Sequence, residues 1–417
     1  MSATVTLTLP SRLSGTVTLP TSKSLSARAL IISALAGAPQ PRGLSDCDDT
    51  RVLLRALRER GDVIDILAAG TAMRFSTAFF AVTPGTHLIT GTARMQQRPI
   101  RVLVDALRAL GADIRYVGEE GFPPLRVSGR PLRGGALSIP AGISSQYISA
   151  LLMIAPLLAD GLTLTLEGDI VSTPYIHMTL ALMRTYGATA EWADDHTLRV
   201  APGGYRREVE FTVEPDWSAA SYWYELVALA PDAASTITLP GLRPTSVQGD
   251  SVVWQRFRAL GVATTFTDAG AVLTRTAPEG VLDGDFTACP DLAQTFVVTC
   301  ALLRRPFHFT GLQSLRIKET DRIAALQHEL AHLGVAVTAT DSTMTLSAAG
   351  LPAEAAPATA PIATYDDHRM AMAFAPAAFR HPALSIAHPE VVSKSYPAFW
   401  DDLRQVGATV ADSDTPA

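Results

Sequence analysis

Cysteine is scarce in this 417-residue chain: Cys47, Cys289 and Cys300 stand far apart, in no metal-ligand spacing. An odd number of scattered cysteines, with no secretion signal ahead of them, points to reduced thiols in a cytoplasm and to no bound metal. A basic surplus is also missing. The formal net charge is −6, whereas a protein that grips a phosphate backbone carries excess Lys and Arg. No nucleic-acid partner is expected, and any anionic ligand must be held by a local cluster. Long apolar runs are absent too. ISALLMIAPLLA, Ile148 to Ala159, stops at Asp160, too short to span a bilayer, so it reads as a core helix and no membrane partner is expected. The opening SATVTLTLP alternates like a strand and lacks the build of a signal peptide. Neither GxxxxGK(S/T) nor a strand-linked GxGxxG occurs, which argues against nucleotide binding through those loops.

What is present is a well-packed composition, 47% hydrophobic and 18% charged, in a chain too long for one ordinary core. A local pattern keeps returning: an amphipathic helix, a glycine at its end, a strand, a turn and a second strand. It reads LVDALRALGADIRYVGEEGFPPLRVSG from Leu103 and LALMRTYGATAEWADDHTLRVAPG from Leu180. Later copies start at Trp254 and Ile323, FWDDLRQVGATV matches the first half, and LLRALRERGDVIDI from Leu53 is a shortened copy. Gly111, Gly187, Gly261, Gly334 and Gly407 fit the left-handed position that ends a helix. About six copies of an α/β unit predict two domains of three units each. VEPDWSAASYW from Val213 interrupts the repeat as a crossover, giving domains 21–215 and 1–20 with 216–417. The stretch of ~20 residues after Leu351 reads as a surface loop.

Between the repeat helices lie further helix starts rich in hydroxyls and cations. Lys23, Ser24 and Arg28 open one helix, Gly70, Thr71 and Arg74 another, and Ser144, Ser145 and Gln146 a third. Ser172 and Tyr175, Asp291, Lys318 with Glu319 and Arg322, His368 with Arg369, and Ser393 with Lys394 are read the same way. Ser, Thr and Asp at such places are explained by N-capping, worth ~1 kcal/mol each. Capping does not explain cations, each unfavourable by roughly 0.3 to 1 kcal/mol at a helix N-terminus. Shared anionic ligands would reverse that sign, because free N–H groups, hydroxyls and basic side chains make a phosphate or carboxylate site without a metal. Arg98, just before a repeat helix, fits as a further clamp. Glu319 and Asp291, with Asp367, are the carboxylates expected within that positive setting.

HELAH, His328 to His332, matches the HExxH zinc pattern. The apolar stripe Ile323, Leu326, Leu330, Leu333 sets the buried face, which projects both histidines to the solvent side, and no third ligand follows. The zinc reading is set aside.

TSKSLSAR, AAGTAMR, QRPIRVLVDAL, SSQY, VSTPYI, RIKETDR, YDDHRMAM and SKSYP occur in this order along the chain. Together they resemble the EPSP synthase (3-phosphoshikimate 1-carboxyvinyltransferase) family, from about Pro20 to Trp400. The resemblance implies an α/β fold of two domains, each built of three βαβαββ units in an inverse α/β barrel-like arrangement, with the active site in the interdomain cleft. It implies transfer of the enolpyruvyl group of phosphoenolpyruvate to the 5-hydroxyl of shikimate 3-phosphate, a step towards chorismate and the aromatic amino acids. It also implies a monomer without cofactor or metal, because the reaction breaks a C–O and not a P–O bond.

Carried across by position, the resemblance implies that Lys23, Ser24, Arg28, Ser144, Ser145, Gln146, Ser172, Tyr175, Asp291, Ser314 and Lys318 hold shikimate 3-phosphate. Lys23, Gly70, Arg74, Arg98, Gln146, Arg322, His368, Arg369 and Lys394 would hold phosphoenolpyruvate. Asp291 would take the hydroxyl proton, Glu319 exchange the proton at the methylene carbon and Lys23 assist the departing phosphate. The chain departs from the family at Ala68, Phe75 and Ser314, and the segment between Asp49 and Gly70 is short for it. Two other readings are weighed. The sister enzyme acting on UDP-N-acetylglucosamine commonly carries a Cys in the loop that here reads GTARMQQRPI. A non-catalytic repeat protein could dispense with Glu319 and Asp291.

Overall fold

The computed structural model describes residues 3–412 except 143, 280–281 and 352–359. Its contacts divide the chain into two compact units, Thr21–Glu214 and Met1–Pro20 with Pro215–Ala417, each around its own apolar core.

In the unit 21–214 the helices are α1 (Lys23–Ala36), α2 (Asp48–Glu59), α3 (Gly70–Val82), α4 (Arg101–Ala109), α5 (Ser145–Ile154) and α6 (Thr173–Thr185). The sequence sorts them into two kinds. KSLSARALIISALA, GTAMRFSTAFFAV and SQYISALLMI are apolar on nearly every side, and α1, α3 and α5 are accordingly buried. DDTRVLLRALRE and RVLVDALRA keep an apolar stripe, and α2 and α4 bury only that stripe. ISALLMIAPLLA is indeed core, covered by α5 and a 3-10 turn at Ala155–Leu157.

Two four-stranded sheets complete this unit. In the first, Val63–Asp65 runs parallel to Gly85–Thr90, which pairs antiparallel with Leu125–Gly129, itself antiparallel to Asp113–Tyr116. The second repeats that order with Gly135–Pro140, Leu162–Glu167, Thr197–Val200 and Ala190–Trp192. Each is a βαβαββ unit. The third is reduced, as the shortened copy suggested: α1 and α2 are present, and Arg42, in the segment between them, forms a parallel bridge to Thr212. The short segment between Asp49 and Gly70 is where a hairpin would have to fit, and α2 with its turn consumes most of it.

The other unit contains α7 (Trp217–Leu229), α8 (Val253–Arg256), α9 (Ala293–Leu302), α10 (Arg322–His332), α11 (His368–Phe374) and α12 (Phe399–Gln405). Again α7, α9 and α11 are buried along their length. Two sheets carry the same strand order, and a third is assembled from both chain ends, with Thr4–Thr8 between Leu384–Ala387 and Thr409–Asp412. The repeat helix read from Trp254 is shorter than its pattern suggests, a single α turn after a 3-10 turn. Of the loop expected after Leu351, residues 352–359 lie outside the described residues, and Ile362 bridges to Ile386.

The five repeat glycines all adopt left-handed φ, from 79° to 100°. At Gly261 a Cβ would also stand 2.7 Å from the Thr276 carbonyl oxygen, so space as well as conformation requires glycine there.

Candidate active site

The buried helices deliver most of the candidate residues. In the unit 21–214, Ser22 caps α1, leaving Lys23 as its first residue, and the Lys23 ammonium lies 3.3 Å from the Asp49 carboxylate. Arg28, one turn on, is only 2% exposed. Its guanidinium donates to Thr179 Oγ1 (2.8 Å), the Ser24 carbonyl (3.1 Å) and Ser149 Oγ (3.0 Å), and lies 5.4 Å from the Phe75 ring and 5.6 Å from the Tyr175 ring. These oxygens are neutral, and burial lowers the Arg28 pKa to about 10. Phe75, one of the departures from the family pattern, is thus a buried ring beside a candidate cation.

Gly70 opens α3. A Cβ there would come within 2.6 Å of Arg98 Nη1, so the bare backbone lets the Arg98 guanidinium lie over the helix start. Arg74 is turned back into the structure, donating to the Gly70 (3.0 Å) and Pro99 (3.2 Å) carbonyls. Ser144 caps α5 by accepting from the Gln146 amide (3.3 Å), Ser145 is buried, and the Gln146 side chain donates to Thr71 Oγ1 (3.1 Å). Ser172 precedes α6 in a left-handed conformation (φ 57°) without capping it through its side chain. For Ser144 capping is the local explanation, and for Ser172 it is not.

In the other unit Arg322 is the centre. It begins α10, is 1% exposed, and meets Asp367 (2.7 Å), Glu319 (2.9 Å) and Asp291 (3.2 Å). Burial works against its charge, but the three carboxylates outweigh it and hold its pKa above the ordinary value. Arg369, second residue of α11, donates to the Asp291 carboxylate (3.0 Å), the Asp291 carbonyl (3.1 Å) and Tyr222 Oη (3.3 Å). Lys318 stands 3.5 Å from Asp291 and Lys394 3.8 Å from Glu319. Burial alone would raise the pKa of Asp291. Arg369, Lys318 and Arg322 reverse that and keep it well below the usual carboxylate range. Asp367 caps α11, and His368 beside it is buried with Nδ1 3.6 Å from its carboxylate. Ser314 lies half-buried in a 3-10 turn, Gln313–Ile317.

Two expectations about placement need correction. Lys318 and Lys394 do not sit in the first turn of a helix. Lys318 follows the 3-10 turn and precedes α10, which starts only after its cap Asp321. Lys394 closes a 3-10 turn, Pro389–Lys394, and α12 begins at Phe399. Pro397 explains the second case, because proline disfavours helical backbone at the residue before it. The dipole argument therefore does not apply to these two lysines, whereas their carboxylate partners account for their positions.

Sequence reasoning also passed over several residues. Asp49 was in view only as the edge of a short segment. Asp250 is buried in this unit, accepts from the Ser218 hydroxyl, and has its pKa raised to about 7 by burial and then by the charge of Asp291. Nothing in its local sequence signals that environment.

The family model for EPSP synthase (3-phosphoshikimate 1-carboxyvinyltransferase) matches residues 7–66 and 58–403. The chain belongs to the EPSP synthase family. It is 56% identical over 405 residues to a 3-phosphoshikimate 1-carboxyvinyltransferase of Bacteroides fragilis, covering 96% of this chain and 97% of that protein. It is 35% identical over 431 residues to the one of Aliivibrio salmonicida, covering 96% and 99%. In fold it is similar to EPSP synthase from Acinetobacter baumannii, with a TM-score of 0.78 at 22% identity over 99% of this chain and all of that one. The enolpyruvyl transferase NikO from Streptomyces tendae superposes with a TM-score of 0.74 at 17% identity, over 100% of each chain.

Proposed function

We infer that this protein transfers the enolpyruvyl group of phosphoenolpyruvate to the 5-hydroxyl of shikimate 3-phosphate and releases phosphate. The observation that carries the reading is the 56% identity to a 3-phosphoshikimate 1-carboxyvinyltransferase over nearly the whole chain. The Arg322 cluster supplies what the chemistry asks for, carboxylates set among cations.

The hydroxyl oxygen adds to C2 of phosphoenolpyruvate while C3 gains a proton, giving a tetrahedral intermediate. Loss of that proton and of phosphate then restores the vinyl group. Asp291 is assigned the hydroxyl proton and Glu319 the proton at C3, with Lys23 at the departing phosphate. Asp291 is a weak base while Arg369, Lys318 and Arg322 face it. Anionic substrate on Arg369 and Lys318 competes for those cations and lifts its proton affinity, so the base is strengthened when substrate is present. Arg28, Ser145, Gln146, Ser172 and Tyr175 are assigned to shikimate 3-phosphate, and Gly70, Arg98, Arg369 and Lys394 to phosphoenolpyruvate. We place the reaction in the cytoplasm, in keeping with three free buried cysteines, and in a single chain that carries all the assigned residues. Among the described residues no helix is long and apolar enough to cross a membrane.

The test is phosphate release from phosphoenolpyruvate with a chelator present. Release that depends on shikimate 3-phosphate is expected, and turnover only with UDP-N-acetylglucosamine would assign the sister reaction instead. A Glu319→Ala variant that keeps the normal rate would remove the proton-transfer role.

A further inference from the structure

HELAH contains a residue that its own helix pattern misplaces. His328 and His332 reach solvent, with side chains 61% and 42% exposed, but Glu329 between them is fully buried. Its carboxylate meets His328 Nδ1 (3.0 Å) and His332 Nδ1 (3.3 Å), and accepts from the Tyr365 hydroxyl (2.6 Å) and the Ala363 amide (3.3 Å). A carboxylate offers about four lone-pair positions, so these groups occupy it fully and account for its burial without a metal.

Two of the four partners belong to the segment that leads into the site. Tyr365 and Asp366 both adopt left-handed backbone, each at φ 55°, a conformation that residues with a Cβ hold only where their surroundings fix it. Directly after them come Asp367, which meets Arg322, and Arg369, which meets Asp291. Glu329 and Arg322 are seven residues apart on α10, two turns along the same face. The helix therefore grips the turn at both ends, Arg322 on Asp367 and Glu329 on Ala363 and Tyr365.

We propose that Glu329 is a positioning residue for phosphoenolpyruvate: by holding Tyr365 and Ala363 it fixes the left-handed turn and so sets where Asp367 and Arg369 stand. The proposal rests on the reading above that Arg369 holds phosphoenolpyruvate. Losing the Tyr365 hydroxyl leaves this end of the turn held by the Ala363 amide alone while the Arg322 end stays closed, so the effect falls on ligand placement and leaves the fold in place.

Steady-state kinetics with both substrates, alongside thermal melting, test it on Tyr365→Phe, Glu329→Gln and Arg369→Gln. Tyr365→Phe keeps the ring and removes one hydrogen bond to a charged acceptor. It is expected to raise KM for phosphoenolpyruvate roughly 3- to 10-fold, with kcat and KM for shikimate 3-phosphate within about twofold. Glu329→Gln should move the same constant further in the same direction. Variants that melt earlier without a selective change in that KM would show a merely structural role and overturn the proposal. Arg369→Gln separates the two layers. If it raises KM for phosphoenolpyruvate and Tyr365→Phe does not, this inference alone fails. If Arg369→Gln leaves that KM unchanged, the underlying substrate assignment fails and the proposal goes with it.

Discussion

Arg28 and Arg322 are both buried helix arginines, one in each unit, and their surroundings treat them in opposite ways. Around Arg28 the hydrogen-bond acceptors are two hydroxyls and a backbone carbonyl, and burial lowers its pKa to about 10. Around Arg322 three carboxylates overcome burial and raise it. A buried cation with neutral partners is one for which an anionic ligand is the missing counter-charge. A buried cation among carboxylates is instead a device for holding those carboxylates in place, and for Asp291 it also favours the ionised form. On the assignments proposed above, the Arg28 surroundings in 21–214 serve binding and the Arg322 cluster in the other unit carries the two proton-transfer carboxylates.

The largest effect that tests this division is on turnover. Glu319→Gln is expected to lower kcat by roughly 10²- to 10⁴-fold, as removal of a general acid–base does, while both substrates still bind by calorimetry. Gln146→Ala, in the unit 21–214, should raise KM for shikimate 3-phosphate with a much smaller change in kcat. The reverse pattern would abolish the distinction.

Stability separates the two arginines next. Arg322→Met takes the buried Asp367 carboxylate's guanidinium away and removes one cation each from Glu319 and Asp291, and is expected to cost ~3 to 5 kcal/mol in urea unfolding. Arg28→Met leaves Thr179 and Ser149, which already bond each other at 2.9 Å, so its cost should be nearer ~1 to 2 kcal/mol. Equal costs would mean that the carboxylates contribute nothing special.

The pH dependence is smaller and has a definite sign. Asp250 titrates at about 7 in the folded chain and near 3.8 as an ordinary carboxyl. The fold therefore favours its protonated form, and its contribution is most favourable below about pH 4 and declines as pH rises to about 7. Asp250→Asn should flatten this decline in the urea midpoint and stabilise the protein at pH 8, by up to a few kcal/mol. Asp291 works in the opposite direction: its pKa is depressed, so its contribution is present above the unfolded value and lost as pH falls below it.

The smallest effect concerns Gly70. An alanine there must displace the Arg98 guanidinium, which is the end of a flexible side chain. Gly70→Ala should fold normally and raise KM for phosphoenolpyruvate by a few-fold, roughly 1 kcal/mol of lost binding. No change would remove Arg98 from the assigned ligands.

Much of this architecture was legible beforehand. The glycines that end the repeat helices, and the contrast between all-apolar α1, α3 and α5 and striped α2 and α4, depend on residues within a turn or two of one another. Lys318 and Lys394 were misplaced because cap Asp321 and Pro397 reset the helix starts by a few residues. The shortened copy from Leu53 and the short segment between Asp49 and Gly70 already signalled a reduced unit in 21–214, and the structure shows α1 and α2 there with a parallel bridge from Arg42 to Thr212. Glu329 escaped notice because its partners Ala363 and Tyr365 lie more than 30 residues away.

By itself the sequence determined the repeat, the sorting of helices into buried and surface kinds, and the residue types at each helix start, since all of these follow from local periodicity and backbone sterics. Only the tertiary structure decided the charge environment of the candidate acids. Asp291 meets Arg322 and Arg369 across 31 and 78 residues of chain. Coulomb energy and desolvation depend on distance and burial in space, and no local stretch encodes either.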